Sequence, residues 1–175
     1  MNQKLQNMCF TFLAAIVIVP LYIFLHESGH ALVSLSCGAR ITAFSIFGAY
    51  TSSEGGNYND LTYSLLHVAG VLLPILVSIG VLLFYRKDRL HAFYRITMFL
   101  VGMLSIGSAC AWVIVPILYL QGKAPVADDV TKFIEASGVA QLLVIACAAL
   151  VMGVFLLILW KKQVIQNWWQ TIQGK

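Results

Sequence analysis

Four apolar runs, at about residues 8–35, 61–85, 93–120 and 139–160, each exceed the roughly 20 residues needed to cross the hydrocarbon of a bilayer. No water is available there to satisfy peptide groups, so such a segment closes its hydrogen bonds on itself as an α-helix. Composition agrees: 60% of the 175 residues are apolar and 10% charged, against about 45–50% and 25% in an ordinary soluble domain. The expected fold is an all-α integral membrane protein of four transmembrane helices, a single domain over residues 1–175.

Charge limits both partners and topology. The formal net charge is +4 with no dense basic patch, which argues for the lipid bilayer and against nucleic acid as a partner. Of the eleven Lys and Arg residues, eight (Lys4, Arg86, Lys87, Arg89, Arg95, Lys161, Lys162 and Lys175) fall at the N-terminus, in the 86–95 connection and in the C-terminal tail. Arg40, Lys123 and Lys132 fall on the other side. The positive-inside rule then places both termini of a multi-pass cell-membrane protein in the cytoplasm. Cys9, Cys37, Cys110 and Cys147 form no Cys-x-x-Cys pair and read as small apolar residues. Lys4 ahead of an apolar run imitates a secretory signal, but the run is too long and carries a polar motif, so it is expected to be a retained helix.

That motif is His26-Glu27-Ser28-Gly29-His30, three ionisable groups inside the first run. A charged group at mid-bilayer costs about 2.5–3.5 kcal/mol on insertion scales, so such groups usually mark function. At about 100° per residue, the two imidazoles lie only about 40° apart on a helix and can reach one metal ion. Glu27 falls on a neighbouring face, where a carboxylate can deprotonate a water at the metal without ligating it, the division of labour in zinc peptidases. The bland alternative is a set of polar groups holding helices together. His30 lies about 10 Å along the axis from the end of the run, at about 1.5 Å per residue, so the site is near one face of the membrane. The charge count makes that the outer face.

Between the runs, Gly38, Gly48, Gly55 and Gly56 punctuate a β-prone stretch at residues 41–51, expected to form a strand or hairpin packed at the membrane surface. The second run holds Gly70, Pro74 and one ionisable group, His67, expected as a packed, hydrogen-bonded histidine rather than a group facing the metal cavity. The third is rich in small residues, among them Gly102, Ser105 and Gly107, which let helices approach closely. A polar segment then leads into a short helix beginning at Asp128 and Asp129. The tail places Val164, Ile165, Trp168, Trp169 and Ile172 on one helical face, as in an interfacial helix with an aromatic anchor.

The segment His26-Glu27-Ser28-Gly29-His30-Ala31-Leu32, followed by Cys37-Gly38-Ala39-Arg40-Ile41, resembles the signature of the site-two protease family of intramembrane zinc metalloproteases. The resemblance covers about residues 14–135. It implies a three-helix zinc-peptidase core over about 8–135, with the fourth helix and amphipathic tail at 136–175 as additions. It also implies a β-structured loop on which an unwound substrate adds as an extra strand, and zinc nearer the cytosolic face, against the charge count. The family often carries Gly-Pro and a downstream Asn in the second helix. Here Gly70 fits, but Val71 and Pro74 stand where the Pro and Asn would be. The family's third ligand is an Asp, usually followed by Gly, from the helix two after the histidines; Val130 replaces that Gly here.

A catalytic zinc usually has three protein ligands and one open position. The first and third helices run in the same direction, so their C-terminal ends reach the same face, where Asp128 and Asp129 follow the third run. Glu54 and Asp60 lie in the glycine-rich loop, Glu135 is farther along the short helix, and Asp88 is on the opposite face. Asp128 suits the helix cap, which leaves Asp129 as the expected ligand, with Asp128 and then His67 as alternatives. The expected function is that of an intramembrane zinc metalloprotease acting on membrane-embedded protein or peptide substrates: zinc (Zn2+) on His26, His30 and Asp129, with Glu27 as the catalytic base. The alternative is a catalytically silent adaptor or regulatory subunit of the same fold. Intact Glu27 argues against it, and the missing Gly-Pro and Asp-Gly features argue for it. A metal transporter needs a polar path across the bilayer and ranks last, because the polar groups cluster near one face.

Overall fold

A computed structural model describes residues 2–174. In chain order these form α1 (Gln3–Ser36), β1 (Ala39–Ser45), β2 (Tyr50–Gly55), α2 (Asp60–Leu83), α3 (Ala92–Leu120), α4 (Asp129–Ser137), α5 (Gln141–Lys161) and α6 (Val164–Gln173). The four apolar runs are α1, α2, α3 and α5, each long and apolar enough to cross a membrane. Local chemistry sets the ends of the shorter pieces. Asn59 and Thr62 close a reciprocal capping box at the start of α2. Asp128 accepts from the Val130 amide (2.8 Å) at the start of α4, which Gly138 ends in the left-handed region (φ 63°).

Small and polar residues mark where the helices meet. Along α1 the buried positions are Asn7, Ala14, Glu27, Gly29 and Ser34, while Phe12, Leu13 and Ile16 are exposed. Gly29 lies so close to the Ala69 carbonyl that a Cβ would overlap it, and a Cβ on Gly102 would come within 2.6 Å of Leu159. Close approach at small residues is one packing device between these helices. The larger apolar core joins Val71, Ile75 and Leu82 of α2 to Phe155 and Leu159 of α5 and Val164 of α6. A second core seats Val130 and Ile134 of α4 against Val115 of α3 and Val144 of α5, which fixes the start of α4 near α2.

The β-prone stretch is an antiparallel hairpin, Ala39 opposite Gly55 and Ser45 opposite Tyr50, with an irregularity between Ile41 and Ala43. Gly38, at φ 82°, reverses the chain at the end of α1. The hairpin therefore folds back along α1 rather than lying flat beyond its end. Ser53 Oγ donates to Ser34 Oγ (3.3 Å), Thr51 Oγ1 donates to the Glu27 carbonyl (3.1 Å), and Phe44 meets Phe24 edge-on at 5.9 Å. The hairpin thus flanks the histidine motif.

The C-terminal helix also differs from a simple surface anchor. Trp169 is exposed, and Trp168 stacks on Phe99 of α3 at 3.8 Å, but the residues buried beneath α6 are Val164, Asn167 and Thr171. Asn167 Nδ2 donates to the Tyr85 hydroxyl (2.8 Å) and to the Lys87 carbonyl (3.0 Å), while Asn7 Nδ2 donates to the Thr171 carbonyl (2.7 Å). A polar seam, invisible in the hydrophobic pattern, docks α6 onto the bundle.

Candidate metal centre

His26 and His30 lie one turn apart on α1, and their Nε2 atoms are 3.2 Å apart. Asp129, in the first turn of α4, brings Oδ2 to 3.5 Å from His26 Nε2 and 3.2 Å from His30 Nε2. A tetrahedral ion with bonds of about 2.0–2.1 Å requires donors about 3.3–3.4 Å apart, so this triangle matches one face of a zinc coordination sphere. Two imidazoles and one carboxylate are also a donor set zinc favours.

The protonation pattern points the same way. His30 Nδ1 lies 2.7 Å from the Leu66 carbonyl, which only accepts, so Nδ1 carries the proton. The Nε2 atom of neutral His30 then presents a lone pair toward the Asp129 carboxylate and His26. With His26 likewise neutral at Nε2, the three donor atoms would suit a cation placed between them.

Each member is held by a neighbour. Leu66 fixes the His30 ring, and His67 Nδ1 donates to Asp129 Oδ1 at 2.9 Å, leaving Oδ2 directed at the two imidazoles. Burial alone pushes the Asp129 carboxyl up, but hydrogen bonds from His26, His30 and His67, with Nε2 protonated on the first two, outweigh it and hold the group well below the usual carboxylate range; a cation on the two Nε2 atoms would take the place of those protons. Gly70 of α2 makes room for the rings: a Cβ there would overlap His30 Nε2 and come within 2.8 Å of His26 Cε1. Glu27 is buried, only 4% exposed, and its carboxylate has no hydrogen-bond partner among the described residues. Its oxygens are not sealed from solvent, so a carboxylate with no protein partner here is suited to hold a water.

His26, His30 and Asp129 are therefore brought together, across about a hundred residues of chain, and Asp128 stays at its cap. Asp60, Glu54, Glu135 and Asp88 take no part in the cluster. His67 is packed and hydrogen-bonded as expected, yet its partner is Asp129, so it belongs to the site after all. The signal for it was present in the sequence: a lone ionisable group in an apolar run, on the same helical face as Gly70 three residues on. No protein-family model, curated protein or solved structure matches this chain.

Proposed function

We propose that this chain is a multi-pass protein of the cell membrane that hydrolyses peptide bonds in or beside membrane-embedded substrates, with zinc bound by His26, His30 and Asp129. The observation that carries the reading is the triangle of His26 Nε2, His30 Nε2 and Asp129 Oδ2, at 3.2–3.5 Å, beside a buried and unpaired Glu27. Zinc there would act as a Lewis acid on the scissile carbonyl and lower the pKa of the attacking water. Glu27 would take a proton from an attacking water as its oxygen adds to the carbonyl carbon, and would return it to the leaving nitrogen as the C–N bond breaks. His67 and the Leu66 carbonyl keep Asp129 and His30 oriented throughout. A substrate helix must unwind first, because its carbonyls are otherwise engaged in backbone hydrogen bonds. The hairpin beside Glu27 offers a strand edge for the unwound segment.

The test is zinc content of the purified chain together with cleavage of a labelled membrane peptide. Glu27→Gln is expected to abolish cleavage with zinc retained, and His26→Ala or His30→Ala to lose the metal. Full cleavage by Glu27→Gln refutes the mechanism. Zinc bound by a wild-type chain that cleaves nothing would favour the adaptor reading.

A further inference from the structure

At the end of the molecule remote from the metal centre, the turn after α2 and the end of α5 enclose an open cleft of about 620 Å³, lined by Tyr85, Arg86, Lys87, Asp88, Arg89, Lys161 and Lys162. At about 30 Å³ per water molecule, it has room for about twenty waters, or for a phosphate with the glycerol attached to it.

Five cations face one carboxylate there, and neither Asp88 nor any of the five forms an ion pair among the described residues. Helix capping accounts for only one of these cations, since Lys162 Nζ donates to the Leu83 carbonyl at 2.7 Å. The turn that carries Arg86, Lys87 and Arg89 is tied down by hydrogen bonds. Arg86 N donates to the Tyr94 hydroxyl (2.9 Å), and the Lys87 carbonyl accepts from Asn167 (3.0 Å). The buried Arg95 donates through Nε to the Arg89 carbonyl (3.0 Å), bringing a sixth positive charge with no acidic partner among the described residues. Such an excess of positive charge is complementary to an anion.

The flank of the cleft says which one. Phe84, 85% exposed, precedes the lining residue Tyr85 in the chain, and Trp160, 63% exposed, precedes the lining residue Lys161. Exposed apolar side chains thus stand one residue from the cationic lining at the ends of α2 and α5, as an acyl chain requires and a free phosphate does not. We propose that this cleft seats the phosphate headgroup of an anionic phospholipid, with its acyl chains lying along Phe84 and Trp160. The proposal depends on membrane insertion and on no property of the metal centre.

The full chain, purified in detergent and offered equal phosphatidylglycerol and phosphatidylcholine, is expected in native mass spectrometry to retain the anionic lipid about tenfold over the zwitterionic one. Replacing Arg86, Lys87, Arg89 and Lys161 together by Gln should remove that preference, whereas Arg40→Gln, Lys123→Gln and Lys132→Gln on the other face should keep it. Asp88→Asn should raise it about threefold, a gain that misfolding cannot produce. Equal retention of both lipids, or a preference unchanged in the quadruple variant, overturns the proposal. So does displacement of the lipid by excess inorganic phosphate, which would assign the cleft to the free ion. If the quadruple variant does not fold, no gain in Asp88→Asn is the overturning result.

Discussion

Gly70→Ala tests the metal centre without replacing a ligand, a charge or a titratable group. The added methyl would lie 2.7 Å from His30 Cε1 and 2.8 Å from His26 Cε1, against a lower limit of 3.4 Å for ordinary contact. Each ring must therefore retreat by about 0.6–0.7 Å, while metal–donor distances tolerate only about 0.2 Å. The methyl also overlaps His30 Nε2 itself. Loss of one outer-shell partner typically lowers metal affinity about 10–100-fold, and here two donors are displaced together. We expect zinc affinity to fall more than about 100-fold, some 2.8 kcal/mol, measured by competition with a chromophoric chelator, with the circular dichroism of the helices unchanged. Gly80→Ala and Gly153→Ala are the controls, since a Cβ at either meets nothing within 4 Å. Wild-type zinc affinity in a folded Gly70→Ala variant would refute both the rotamers of the two histidines and the assignment of their Nε2 atoms as donors.

Asp129→Ala is expected to lose bound zinc, whereas Asp128→Ala should keep it and lower stability by about 1 kcal/mol, the usual cost of a lost cap; metal content and thermal melting separate the two, and the reverse pattern would exchange their roles. His67→Phe keeps a ring against Tyr63 but removes the donor to Asp129 Oδ1, so zinc affinity should drop about 10–100-fold with the metal still bound at saturation; an unchanged affinity means that Asp129 orients itself. A cysteine at Ser52, exposed on β2, in a background lacking the native cysteines should react with an impermeant thiol reagent added outside intact cells. Protection there would put the metal centre on the cytosolic side and reverse the topology taken from the charge count.

What the sequence determined by itself is what covalent neighbours and helix geometry control. Four long apolar runs become helices, which satisfy their peptide groups within the segment. His26 and His30 share a face because they are four residues apart on such a helix. Asp128 caps α4 because its short carboxylate reaches the free Val130 amide. Gly38 reverses the chain because it alone accepts φ 82° without strain. Rotation of each helix about its axis was a tertiary decision. Leu142 of α5 is 71% exposed and Phe155 of the same helix fully buried, yet both are simply apolar. In helices that are apolar on every face, hydropathy cannot tell an inner face from an outer one, and contacts between small and polar residues choose instead. That choice turned His67 toward Asp129, laid the hairpin along α1 and buried Asn167 and Thr171 rather than the tryptophan face of α6. It also brought Asp129 to the two histidines, because the position of α4 depends on Val130 and Ile134 packing against α3 and α5, not on anything near residue 129 in the chain.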